Sequence, residues 1–257
     1  MGTERMASEM TVRTWLQGYR LLLRWQALRI KPVLPFVVVA QFFTGLGTVI
    51  GLGYLMPHID PASASFLVTG AATLSLTTLG FVLVPQFVAA AKAEGSFDYM
   101  WSLPIPRLAY LAADMTIWAT ATLPGVIVAL IAGSLRYDFT LHFSPLVVPA
   151  FLLIILTATS VGQVVALLAP KPELVNVVTN LVVFAMFLFS PINFPIERLP
   201  GWLAWIHRLL PVKYAADAVR GTLIPEFADG LGLAMAVLAA WCVAGLAGSV
   251  IVSTRRR

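Results

Sequence analysis

Residues 108–134 read LAYLAADMTIWATATLPGVIVALIAGS, and this stretch sets the class of the chain. In 27 consecutive residues there is one formal charge, Asp114. An α-helix rises about 1.5 Å per residue, so about 20 apolar residues cross the hydrocarbon of a bilayer. Five more windows of this kind lie on either side: Val33–Met56, Ser65–Ala91, Pro145–Ala169, Val175–Phe194 and Gly230–Val252. The six windows take up 146 of the 257 residues and hold only Asp114; the other 111 residues hold the remaining 28 charges. A charge at the bilayer centre costs about 2.5–3.5 kcal/mol on insertion scales, and water-soluble helices have no reason to segregate charge so sharply. The chain is 59% hydrophobic and 11% charged, against about 45–50% and about 25% in average globular proteins. That composition excludes a disordered chain and a coiled coil, and one cysteine excludes a disulfide scaffold. The sequence predicts an all-α polytopic membrane protein, one transmembrane domain over 1–257 with six transmembrane helices.

The positive-inside rule orients it. With an even number of spans both termini share a side. Twelve of the 17 Lys and Arg then fall on the side of the termini, from Arg5 to Lys31, in the loop after the second window, at Lys171 and at Arg255–Arg257. This favours cytoplasmic termini in a bacterial plasma membrane. Residues 8–31 form an amphipathic interface helix. Val12, Trp15, Leu16, Tyr19, Leu23 and Ile30 share one face, while Arg13, Gln17, Arg20, Arg24 and Lys31 share another.

Within the spans, Gly47 and Gly51 form a small-xxx-small pair suited to close helix packing or a subunit contact. Gln41, Asn176 and Asn180 are candidates for a translocation path, or for hydrogen bonds between helices. Asp114 can bind a cation or a proton, or snorkel and pair with a base such as Arg107.

No phosphate-loop motif, HExxH or GxSxG occurs, and His58, His142 and His207 lie far apart in sequence. The chain offers no metal site and no catalytic residues, so energy for any transport comes from another subunit, or the chain is not a transporter.

Two loops carry more information. In the inner loop, 92–107, Phe97, Met100 and Trp101 fall at i, i+3, i+4 beside Glu94, Asp98 and Tyr99. They read either as interfacial belt aromatics or as a knob that docks on a partner. The outer segment, 195–229, is too apolar for a free loop and too rich in proline for a span. Pro191, Pro195, Pro200 and Pro211 cut the region into pieces too short to cross, which suits a re-entrant helical hairpin before the last span.

The pattern SP-I-x-FP-I-ER-LP-x-WL-x-W, followed by YA-x-DA-x-R, runs from Ser190 to Arg220. It resembles the signature of the type-2 ABC exporter permease family, which includes bacterial drug, antibiotic, polysaccharide and lipo-oligosaccharide export permeases. The resemblance implies a dimer, with a second copy or a related permease, working with separate ABC ATPase subunits that carry the ATP and Mg; this chain needs no cofactor of its own. It implies that Glu94, Phe97, Asp98, Tyr99, Met100 and Trp101 couple to the ATPase. It also implies that Pro191, Phe194, Pro195, Pro200, Trp202, Pro211 and Tyr214 form an outer gate. The expected partners are an amphipathic substrate and membrane lipid, and no nucleic acid. The expected cargo is a drug, antibiotic or lipid-like molecule; the alternatives are polysaccharide or glycolipid export, or a non-transporting membrane partner protein.

Overall fold

A computed structural model describes residues 12–55, 59–96, 107–138 and 140–255. Among these residues the structure is helical, with short π and 3-10 segments and connecting turns, and has no strand. The amphipathic helix α1 (Val12–Ile30) precedes α2 (Leu34–Leu55), α3 (Pro61–Ala93), α4 (Arg107–Tyr137), α5 (Val147–Leu168) and α6 (Pro172–Phe189). Two short helices, α7 (Gly201–His207) and α8 (Pro211–Leu223), lead through a 3-10 turn at Pro225–Gly230 into α9 (Leu231–Arg255). Six helices are long and apolar enough to cross a membrane, namely α2 to α6 and α9, and the six sequence windows fall on them.

Helix α3 is the axis of the bundle. In its apolar window 83% of the residues are buried, against 17% for α6 and 22% for the last span. Leu67, Val68, Ala71, Ala72, Leu74 and Leu76 are almost wholly buried. The same helix buries Thr69, Thr73, Ser75 and Thr77 at no polar cost, because each hydroxyl donates to the carbonyl four residues earlier at 2.6–3.0 Å. A π segment at Leu79–Leu83 precedes Pro85. Proline has no N–H for the helical ladder, and a π segment beside it absorbs the missing bond without ending the helix. Gly80 lies in this segment, facing Gly162 of α5. A Cβ on Gly162 would overlap the Gly80 carbonyl oxygen, and one on Gly80 would overlap Ala158 and the Thr159 nitrogen, so α3 and α5 approach this closely only because both residues lack side chains.

The glycine pair singled out in the sequence behaves differently. Gly47 and Gly51 are exposed, and a Cβ on either would meet nothing within 4 Å. The close approaches of α2 are made by its neighbours instead, Gly45 against Gly125 and Gly53 against Tyr137.

Buried and half-buried polar side chains tie the helices together. Gln41 Nε2 donates to the Ser75 carbonyl at 2.9 Å, joining α2 to α3. Gln86 Nε2 reaches Thr179 Oγ1 at 3.0 Å, joining α3 to α6. Thr157 Oγ1 donates to the Leu238 carbonyl at 3.0 Å, joining α5 to α9. In an apolar solvent such bonds satisfy groups that water cannot reach.

Helix α1 lies against the start of α4. Leu22 packs on Ala109 and Ala113, and Tyr19 shares a 2.9 Å hydrogen bond with Thr116 Oγ1. Of the expected face, Ile30 is buried and Trp15, Tyr19 and Leu23 pack half-buried against the cluster, while Leu16 is 44% exposed; Leu22 and Gln26, outside the expected set, are buried as well. Periodicity located an apolar arc but not its centre, because Gln26 is tolerated inside, pointing toward the Tyr110 carbonyl at 3.5 Å. Residues 8–11 of the expected helix lie outside the described residues.

Candidate functional site

The proline-divided segment sits at the end of the bundle remote from α1. The end of α6 breaks at Ser190, and Pro191, Ile192 and Asn193 run buried over α3. Their seat is Gly70, where a Cβ would overlap Asn193 Oδ1 and stand 2.8 Å from the Ile192 carbonyl oxygen. Pro200 precedes α7, and Pro211 opens α8 at a position where a missing N–H costs nothing. Two short helices therefore form where the sequence expected a hairpin. Helix α8 buries Ala215, Ala216, Ala218, Val219 and Leu223.

Arg220 holds this arrangement in place. The residue is 3% exposed, and its guanidinium donates to the carbonyls of Ile192 and, at 3.4 Å, Pro191. It also donates to Asp217 Oδ1 at 3.3 Å and stands 4.2 Å from the centre of the Phe66 ring. The second and third residues of the Ser190–Arg220 motif thus meet its last residue in one buried cluster. Trp241 Nε1 of α9 donates to the Leu209 carbonyl between α7 and α8 at 3.1 Å, and Tyr214 Oη donates to the Arg208 carbonyl at 2.7 Å. The expected gate residues divide into two sets. Pro191 and Pro211 are buried, with Phe194, Pro195 and Tyr214 half-buried, whereas Pro200 and Trp202 are exposed. Trp202 and Trp205 project from one edge, 68% and 61% exposed, as interfacial tryptophans do. Burial holds the His207 imidazole below its ordinary pKa, opposed by the Phe189 carbonyl.

At the opposite end, the inner loop leaves α3 at Lys92. The Lys92 ammonium donates to the carbonyls of Ala166, Leu167 and Ala169 at 2.8, 3.3 and 3.0 Å. These oxygens close the C-terminus of α5, where the helix dipole favours a cation. Glu94 is exposed and Gly95 adopts a positive φ of 73°, a turn conformation that suits glycine. Phe97, Asp98, Tyr99, Met100 and Trp101 lie outside the described residues.

The candidate path residues do not gather. Gln41 is committed to Ser75, while Asn176 and Asn180 stand together on an exposed face of α6. Asp114 has neutral partners: its carboxylate accepts from Trp118 Nε1 at 3.2 Å and Gln163 Nε2 at 3.0 Å, joining α4 to α5. The side chain of the expected partner Arg107 lies outside the described residues; Arg29 of α1 lines the same small cavity as Asp114.

Sequence reasoning missed two structural roles. The loop position of Lys92 marks it as an orienting charge, yet a lysine near the end of one span can reach the carbonyl end of another. The one local signal for Arg220 is Asp217, three residues before it.

Six helices of crossing length among the described residues define a multi-pass membrane protein. The chain belongs to the ABC-2 type transporter family, whose model matches residues 17–224. This is a family of permeases, not of catalytic ATPases, and membership implies pairing with an ABC ATPase subunit. The chain is similar to Nodulation protein J of Rhizobium meliloti (strain 1021), 25% identical over 251 residues, covering 95% of this chain and 93% of that protein. It is also 25% identical to Nodulation protein J of Rhizobium leguminosarum bv. viciae over 248 residues, covering 94% and 93% of the two chains. The protein of that name from Neorhizobium galegae is 26% identical over 221 residues, covering 84% and 82%.

Proposed function

We propose that this chain is the membrane subunit of an ATP-driven exporter and that it moves an amphipathic molecule out of the cell. Family membership across residues 17–224 carries the reading. Two copies, or this chain and a related permease, enclose the path. ATP binding to the partner subunits moves the loop after α3 and biases the dimer between inward- and outward-open states; such a bias requires a different interaction with each state. The segment from Pro191 to Tyr214 closes the outer end as a re-entrant hairpin, and both termini are cytoplasmic.

For the cargo we favour a glycolipid or polysaccharide over a drug or antibiotic. The relatives that match nearly the whole chain carry names attached to nodulation and none attached to drug resistance, which leaves the drug reading without support from them.

The test is extraction of the tagged full-length chain from its native membrane, followed by sequencing of the proteins that come with it. A soluble chain with a phosphate-loop motif is expected in stoichiometric amount. A permease that purifies from active membranes without any such chain refutes the proposal.

A further inference from the structure

A cavity of about 220 Å³ lies between α5, α6 and the short helices α7 and α8, separate from the Arg220 cluster. Its walls are apolar. Val161 and Val165 of α5 face Val178, Val182 and Met186 of α6. An engineered apolar cavity of about 150 Å³ in another protein stays dry and binds benzene, so this space admits more than one ring. It is elongated as well. From Val178 to Ser190 the chain advances 12 residues, roughly 18 Å at helical rise. A slot of that shape fits an alkyl chain lying along the helices better than a compact ring system. It is partly open, and one wall is α6, whose apolar window is only 17% buried.

One end of the slot has chemistry to offer. Ser190 and His207 stand in its wall, and Ser190 Oγ and His207 Nδ1 are both buried without a hydrogen-bond partner. The Phe189 carbonyl, next to Ser190 in the chain, acts on the His207 imidazole, which puts the two residues at the same end. Buried polar groups are nearly always bonded, and exceptions call for an explanation. A hydroxyl both donates and accepts, so it can serve Ser190 and either tautomer of His207.

We propose that this cavity is a binding site for one single-chain, hydroxyl-headed amphiphile, such as a long-chain alcohol or a monoacylglycerol, taken up from the membrane. The alkyl chain lies between α5 and α6, and the hydroxyl meets Ser190 and His207 after a rotation of the Ser190 side chain. The inference concerns a ligand and not its movement, so it stands whether or not the protein exports a glycolipid.

The experiment uses the full-length protein in membrane vesicles and hexadecanol carrying a photoactivatable diazirine in its chain. Labelled residues are located by peptide mass spectrometry. Labelling is expected at Val161, Val165, Val178, Val182 and Met186, and to be competed by plain hexadecanol at least tenfold better than by hexadecane. Val182→Trp, which fills the slot, lowers it at least tenfold, and Val161→Phe on the facing wall does the same if the first variant fails to insert. Ser190→Ala weakens labelling about three- to tenfold, the range of one hydrogen bond. Three results overturn the proposal: equal labelling of the outward-facing Phe184 and Leu188 with no effect of filling; equal competition by alcohol and alkane; or a crosslink between two copies through Val178→Cys that excludes the probe, which would give the slot to the permease dimer.

Discussion

Arg220 donates its guanidinium hydrogens to the backbone carbonyl of Ile192, 28 residues earlier in the chain, with both residues buried. This contact closes the segment between α6 and α9 into a loop with a fixed base. The Pro191 carbonyl, Asp217 and the Phe66 ring complete the surroundings of the cation.

Replacement of Arg220 by Ala removes a charged donor from two carbonyls that water does not reach. The expected loss is about 2–3 kcal/mol of stability. Arg220→Lys restores little, because an ammonium cannot reproduce the planar fork that spans carbonyl and carboxylate together. Thermal unfolding of the detergent-solubilised variants measures this, and a lysine variant as stable as the native chain contradicts it.

Glycine substitutions separate packed from open positions. Gly162→Ala drives its new methyl group into the Gly80 carbonyl and is expected to cost about 1–3 kcal/mol or more. Gly51→Ala meets nothing within 4 Å and is expected to stay within about 0.5 kcal/mol of the native chain, or to gain from helix propensity. Comparable losses at both positions would mean that Gly51 faces a partner.

Coupling is tested at two sites. If Phe97 and Trp101 are anchors in a pocket of the ATPase, alanine at either weakens association by about 2 kcal/mol while membrane insertion stays normal. Lys92→Met removes the cation that joins the root of the same loop to the end of α5. It is expected to preserve ATPase binding and lower the stimulation of ATP hydrolysis. Unchanged binding in both aromatic variants returns those residues to the interfacial belt.

The path of the chain between α6 and α9 is tested with single cysteines at Glu197, His207 and Glu226 after Cys242 is replaced. An impermeant thiol reagent added from outside is expected to label positions 197 and 226, and to label buried position 207 weakly. Labelling at 226 only after the membrane is opened would require a seventh crossing.

The six spans were legible because a bilayer enforces one rule, apolarity over about 20 residues, and that rule is written locally in the chain. Proline spacing marked the short helices α7 and α8 for the same reason. What pairs with what was less legible. Asp114 finds Gln163, and Lys92 finds the end of α5, through the fold and not through neighbouring sequence. Gly80 and Gly47 look alike in the sequence, yet only Gly80 meets another backbone. Periodicity assigns a residue to a face, and only the assembled bundle decides which face is covered.

The division of labour between this permease and a separate ATPase is the central claim, and ATP hydrolysis measures it most directly. The purified chain alone is expected to show no activity above a mock preparation, since its sequence has no phosphate loop. The phosphate-loop protein that accompanies it is expected to hydrolyse ATP and to change its rate on assembly with the permease in lipid. Robust hydrolysis by the contaminant-free chain, or a partner whose rate is indifferent to the permease, contradicts the account.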